Sequence, residues 1–379
     1  MEELPLPIVR HYFPGNNTPQ GFFSYYRYIL EQREANRLIC LKGGPGTGKS
    51  TFLKKVGFQL EQAGEEVDYL HCSADEHSLD GILLPKQKIA FVDGTSPHII
   101  DPITPGAVDY IINFGDFWND KSIAEEKEKI ITYNETSSYW YRVAYHYLEA
   151  AKAILNNLAM IQEAGIEVSE IYKLAADIIG REYRQYDISL KSGRLKKFFA
   201  TGITPAGNVN YIKTLLKPAK RIYLISVPEG YPNTSFMQVL MEGALYRGFD
   251  VEAFYCPMNP AVKVEHMVIP ELEIAFATIN KWHDIEPWEI SDEEGTEKDI
   301  ILLDINDYQS VYFAEKNAST VDRLSRYYRL LIDEGIRALS KAKENHDLVE
   351  QLYLKNMDFD KVDQLVDKTV EEIMKKEGC

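Results

Sequence analysis

Two kinds of hydrophobic pattern alternate along the chain, and the whole alternation occurs twice. Short apolar runs rich in β-branched residues, Arg37–Leu41 (RLICL), Glu66–Cys72 (EVDYLHC) and Lys88–Gly94 (KIAFVDG), predict buried strands. After the first run, Leu53, Val56 and Leu60 recur at helical spacing, and Gly64 marks a natural stop after about Ala63. From Ala124 to Tyr183 the period lengthens to that of amphipathic helices, as in Tyr141–Gln162, which predicts a helical hairpin or subdomain beside the sheet. The plan then repeats. Arg221–Val227, Asp250–Cys256 and Glu273–Ile279 predict strands, and Thr320–Lys376 predicts a helical tail. The pattern reads as an α/β chain of two tandem repeats, residues 1–190 and 191–379. Each is expected to hold a mostly parallel sheet with flanking helices and a helical C-terminal portion, joined by a short connection near Gln185–Arg194.

Individual residues carry the repeat as well. Thr18, Pro19, Gly21 and Tyr25 recur 186 positions later as Thr204, Pro205, Gly207 and Tyr211. Gly64 and Cys72 recur as Gly248 and Cys256, and Pro85, Ala90 and His98 recur as Pro270, Ala275 and His283. Near the ends of the two halves, IINFGDF resembles LLDINDY and GIEVSEIYKL resembles NMDFDKVDQL, both at a spacing of 191. A repeat this long covers nearly the whole chain.

The stretch between the first strand and its helix carries the chemistry. Gly43–Ser50, GGPGTGKS, fits the pattern GxxxxGK[ST] in full and has a predicted strand before it and a helix after it. Such a loop suits a triphosphate. Backbone N–H groups of Gly46, Thr47, Gly48 and Lys49 would converge at the positive end of a helix, with Gly43, Gly44 and Pro45 completing the cradle. Lys49 would place its charge between the β- and γ-phosphates, Ser50 would ligate Mg²⁺, and Thr51 follows in the first turn. Asp93, at the end of the strand Lys88–Val92, is the expected second metal-associated carboxylate, although Asp-Gly is also a common loop opener. Gly94 follows it where a water-polarising glutamate would be expected, so either another residue does that work or hydrolysis is slow. Whether the strand of Asp93 lies next to the loop strand separates kinase-like from ATPase-like arrangements.

The second repeat acts as an internal control. Gly48, Lys49 and Ser50 become Pro232, Asn233 and Thr234; Gly43 and Gly44 become Val227 and Pro228; Asp93 becomes Thr278. The second loop has lost the phosphate charge, the glycines and the metal carboxylate together, and proline removes a backbone donor. Residues kept in both copies, such as His98 with His283, Cys72 with Cys256 and the Thr-Pro-x-Gly turns, read as structural. Asp101 and Asp116, which persist as Glu286 and Asp307, fall in the same group. Residues found in the first copy alone, Asp75, Glu76 and Asp80, lie on a loop after a strand, where a carboxylate could orient water or an acceptor hydroxyl. The alternative is a solvated acidic loop. Arg181, Arg184 and Arg221 are candidate arginines for the γ-phosphate.

Composition narrows the field further. The chain has 379 residues, 45% hydrophobic, with 58 acidic against 42 basic side chains, a formal charge of −16 and a pI near 5.1. That balance argues against a nucleic-acid surface. Cys40, Cys72, Cys256 and Cys379 show no metal or disulfide spacing. No signal organisation or long apolar run occurs, so a cytoplasmic protein with free thiols and no membrane partner is expected.

The opening HYF with TPQGF, GGPGTGKST, HCSAD with SLDG, VDGTSPH and the run from Asp101 to Trp118 together resemble a family of bacterial tandem-repeat P-loop ATPases, over almost the entire chain. The resemblance implies ATP and Mg²⁺ as ligands and possible hydrolysis, and names no further substrate. In that family the second repeat often carries an intact loop; this chain departs from it at Val227–Thr234. Three functions follow as expectations. The first is Mg-dependent ATP hydrolysis at the N-terminal repeat, with Lys49, Asp93 and Asp75 in catalytic roles beside a degenerate partner repeat. The others are a nucleotide or small-molecule kinase using the same loop, and a non-enzymatic nucleotide-dependent switch.

Overall fold

The computed structural model describes residues 7–95, 100–231, 233–291 and 298–375. His98, Pro232 and Cys379 lie outside them. In the first half, β1 (Val9–Tyr12), the hairpin β2 (Gly15–Thr18) and β3 (Gly21–Ser24), β4 (Arg37–Lys42), α1 (Lys49–Gln62), β5 (Val67–His71), β6 (Leu79–Leu84), β7 (Ile89–Asp93) and β8 (Asp109–Asn113) precede α2 (Asp120–Glu125), α3 (Lys127–Ala164) and α4 (Val168–Glu182). The second half runs β9 (Leu195–Phe198), β10 (Thr201–Thr204), β11 (Gly207–Asn210), α5 (Ile212–Leu216), β12 (Arg221–Ser226), α6 (Thr234–Leu245), β13 (Val251–Tyr255), β14 (Val264–Ile269), β15 (Ile274–Ile279), α7 (Trp288–Ser291), β16 (Asp299–Asp304), α8 (Val311–Leu354) and α9 (Phe359–Lys375). The helical tail thus starts earlier than its sequence period suggests, where the Ser310 hydroxyl caps α8 by accepting from the Phe313 amide.

The chain is α/β with two six-stranded sheets in the same order, β1-β5-β6-β7-β4-β8 and β9-β13-β14-β15-β12-β16. Both are mixed. β1 with β5, and β7 with β4 and β8, run parallel, but β6 is antiparallel to both neighbours, as β14 is in the second sheet. Short connections explain the reversal, because a few residues suffice for an antiparallel return whereas a parallel one needs a crossover. β6 is buried along its full length, so its sequence lacks the alternation that marks a half-exposed strand. The Thr-Pro-x-Gly segments are the hairpin turns β2–β3 and β10–β11. Thr18 and Thr204 donate to the carbonyls of Gly21 and Gly207, at 2.7 and 2.9 Å, so both copies use the residues structurally.

Alternation along the strands sets the layers. On β7, Ile89 and Phe91 face α1 while Ala90 and Val92 face a central core; on β12, Tyr223 and Ile225 face α6 while Ile222 and Leu224 face the same central core. The two sheets therefore pack face to face across that core, each covered outside by helices. The outer helices are exchanged. α9, from the second half, lies on α1, with Val362, Val366 and Ile373 in the core of the first sheet; α4, from the first half, lies on α6 of the second. α3 and α8 pack along each other and carry the exchange. Sequence repeats and packing units consequently do not coincide.

Pseudo-two-fold symmetry relates the halves. Phe13 and Phe199, 186 positions apart, bond reciprocally through N–H and C=O at 2.9 Å in both directions. The isolated bridges Trp118–Met357 and Gln309–Ile166 are images of each other at a spacing of 191. At the same interface Arg10 pairs with Asp68 of its own sheet at 2.6 Å and reaches across to Glu252 at 2.5 Å. His71 touches His11 at 2.8 Å and the Tyr211 hydroxyl at 3.1 Å; burial, then the nearby His11, pushes its imidazole down to about 3, so it is neutral at pH 7. Among the described residues no helix is long and apolar enough to cross a membrane.

Candidate functional site

The glycine-rich loop follows β4, an interior strand of the first sheet, and leads directly into α1. Gly46 and Gly48 take left-handed φ values of +68° and +89°, which a side chain would strain. Gly46 is also pinned from outside: a Cβ there would lie 2.6 Å from the carbonyl oxygen of Glu350. The N-cap of α1 is Gly48, which has no side chain to cap the first turn, so the N–H donors there can turn to another acceptor.

Lys49 is 8% exposed, and its ammonium folds back onto the loop, donating to the carbonyls of Gly43 at 2.9 Å and Gly44 at 2.7 Å. Asp93 stands opposite Leu41 in parallel register, on the strand directly beside β4, with Oδ2 3.6 Å from Lys49 Nζ. Its Oδ1 accepts from the Thr95 amide at 2.8 Å, and the Thr95 hydroxyl donates to Gly43 O at 2.9 Å. Gly94 has a packing reason: a Cβ would overlap Cys40 Sγ at 2.2 Å. The Ser50 hydroxyl accepts from the Leu79 amide at 3.0 Å, and Thr47 donates to Gly44 O at 2.8 Å. Ser50 Oγ and the Asp93 carboxylate are hard oxygen donors of the kind Mg²⁺ takes. Gly43, Gly44, Pro45, Thr47 and Gly48 form the loop itself, whereas Thr51 is exposed.

The remaining polar groups come from the other half of the chain. α8 lays Lys343, His346, Asp347 and Glu350 over the loop, and Tyr353 packs against Gly44. Lys343 Nζ is 2.9 Å from Asp347 and 3.6 Å from Asp75. His346, Asp347 and Glu350 offer ligand atoms within 4.8 Å of one another. Burial, then the charges of Asp347 and Asp75, pushes the Glu350 carboxyl above its ordinary range against the pull of Lys343 and Lys49. Burial pushes the His346 imidazole down. Asp75 behaves oppositely: burial raises it, but the Ser78 hydroxyl at 2.6 Å and the Lys343 ammonium outweigh that and hold it below the usual carboxylate range.

Sequence reasoning placed Lys49, Ser50, Asp75 and Asp93 and missed the α8 residues, which stand about 300 positions from the loop. A signal existed. At the repeat spacing of 191, Lys343, His346, Asp347 and Glu350 answer to Lys152, Leu155, Asn156 and Ala159, so three of the four polar groups differ between copies. Asp80 is buried and bonded to the Tyr26 hydroxyl at 2.5 Å, which places it in the core. Asp101 is an exposed partner of Lys42. The arginine candidates lie elsewhere: Arg221 opens β12, at the end of the second sheet opposite its loops, where Glu182 and Asp299 hold it at 2.9 and 2.7 Å, and Arg181 and Arg184 are at the end of α4 beside it.

In the second sheet a neutral bond replaces the lysine–carboxylate pair of the corresponding loop. Asn233, in the place of Lys49, donates to Thr278 Oγ1 at 2.8 Å, in the place of Asp93. Glu229, in the place of Pro45, is paired with Arg329 at 2.8 Å. Cys40, Cys72 and Cys256 are free and buried. No protein-family model, curated protein or solved structure matches the chain.

Proposed function

We propose that the first repeat binds a nucleoside triphosphate, ATP by resemblance, through a P-loop at Gly43–Ser50, and that the bound nucleotide undergoes chemistry at its γ-phosphate. One observation carries the reading: a helix begins directly after two left-handed glycines, the second its N-cap, with the Lys49 ammonium 3.6 Å from a strand-end carboxylate. The ammonium now rests on neutral carbonyls, and a phosphate oxygen is a stronger acceptor for it. Mg²⁺ held by Ser50 and Asp93 would supply neutralisation of the β- and γ-phosphate oxygens. Glu350, with its raised carboxyl, supplies the proton acceptor that Gly94 cannot, and its position on α8 makes the site a joint product of both repeats.

Hydrolysis is the leading reaction. The second reading is transfer to an acceptor hydroxyl, favoured by the direct pairing of Leu41 with Asp93, the kinase-like arrangement of the loop strand and the metal strand. An acceptor-dependent rise in ADP production separates the two, and tight binding without turnover in either assay leaves the switch. Lys49→Ala tests the common premise. Displacement of a fluorescent ATP analogue should show at least about a hundredfold loss of affinity, as expected when a charge-assisted hydrogen bond to phosphate is removed. Undiminished affinity in that variant, or no displacement from wild type, removes the reading.

A further inference from the structure

A cavity of about 140 Å³ opens at the C-terminal ends of β12, β13 and β15. It occupies the position in the second sheet that the glycine-rich loop and its covering helix occupy in the first, which is where an α/β sheet takes its ligands. The exchange of helices supplies the roof. α3 covers this cavity as α8 covers the first loop, so Lys152, Leu155 and Asn156 stand where Lys343, His346 and Asp347 stand in the other site. Loss of the imidazole and carboxylates leaves room. The cavity is walled by Trp282 and Tyr328, whose rings meet edge-on at 5.5 Å, and by Met258 and Ile332.

The charges lining it are unbalanced. Glu229 is taken by Arg329 at 2.8 Å and by Trp282 Nε1 at 3.2 Å, and Glu265 is taken by Lys263 at 3.1 Å and His283 Nε2 at 2.9 Å. Lys152 has no ion pair or hydrogen bond among the described residues, although it is half-buried in a chain of net charge −16. Burial, reinforced by Lys263, pushes its ammonium below the ordinary range, so an anion beside it would be stabilising. A triphosphate does not fit these groups, because the second loop has exchanged its glycines and lysine for Val227, Pro228 and Asn233 and carries the Glu229 carboxylate.

We propose that this cavity binds a small organic monocarboxylate with an aromatic or apolar body. The carboxylate pairs with Lys152 and Asn156, and the body lies among Trp282, Tyr328 and Met258. The site is independent of the nucleotide reading, since none of its residues belongs to the first loop.

Calorimetric titration of the full chain with 4-hydroxybenzoate, indole-3-acetate and phenyl-lactate tests it. At least one should bind saturably, once per chain, and 4-hydroxybenzyl alcohol, which has the body without the charge, should bind at least about tenfold more weakly than 4-hydroxybenzoate. Lys152→Met, with Lys152→Gln as a second variant, should lower carboxylate affinity roughly tenfold, Leu155→Trp should fill the cavity and abolish binding, and Lys49→Ala should leave it unchanged. Both altered positions are only partly buried and line an open cavity, so melting curves close to wild type are expected. Absence of saturable binding by all three acids at millimolar concentration, or an affinity indifferent to both Lys152 variants, overturns the proposal.

Discussion

Glu350→Gln should leave the affinity for MgATP within about threefold of wild type while slowing release or transfer of the γ-phosphate about 10²- to 10³-fold, the usual contribution of a positioned general base. Glu350 meets the loop through its own backbone at Gly46, so its carboxylate is placed by a rigid helix rather than by a mobile loop. Burial and the neighbouring Asp347 and Asp75 raise its carboxyl above the ordinary carboxylate range, the direction that makes a carboxylate a stronger base. Asp75 is a weaker candidate for that role. Its carboxyl is held low by Ser78 and Lys343, which suits a positioning partner for Lys343. The sign of the pH dependence follows. Wild-type turnover should fall as pH drops through the raised Glu350 value, above the ordinary carboxylate range, and that acid limb should vanish in Glu350→Gln. Equal turnover in variant and wild type would assign the base elsewhere.

The second large effect concerns stability. Val366→Asp, in the last helix of the second repeat, should unfold the outer face of the first repeat, with a loss of at least about 3 kcal/mol and no remaining nucleotide binding. Val366 is 1% exposed and belongs to the cluster of Phe52, Leu53, Val56 and Phe91, all from the first repeat. An ionised carboxylate there has no partner, and that loss is a large part of the roughly 5–15 kcal/mol that holds a typical domain. Thermal unfolding by circular dichroism reads it, with the exposed neighbour change Asp367→Ala as the control expected to move little. A melting curve for Val366→Asp that matches the control is incompatible with α9 covering α1.

Much of this architecture is written locally. Buried strands such as Ile89–Asp93 and Arg221–Ser226 are short apolar runs with β-branched residues, each preceded by a lysine, and the long amphipathic stretches can pack only as helices. The loop Gly43–Ser50 is legible because its chemistry resides in consecutive residues. β6 was hidden, since a strand buried on both faces shows no alternation, and the exchange of α4 and α9 was hidden because periodicity reports which face is apolar and never which partner covers it. Glu350 and its neighbours fell in the same gap. Their charges look like an ordinary solvated helix face until α8 is laid across the loop. Comparison of the two copies held the clue, because the polar set at 343–350 has an apolar or neutral counterpart at Leu155, Asn156 and Ala159.

The central claim is that one of the two repeats is a live nucleotide site and that the other is not. Calorimetric titration of the purified chain with a non-hydrolysable ATP analogue and Mg²⁺ tests it most directly, through the stoichiometry. The account predicts one equivalent bound per chain, at the loop carrying Lys49. Two equivalents, or none, would contradict it.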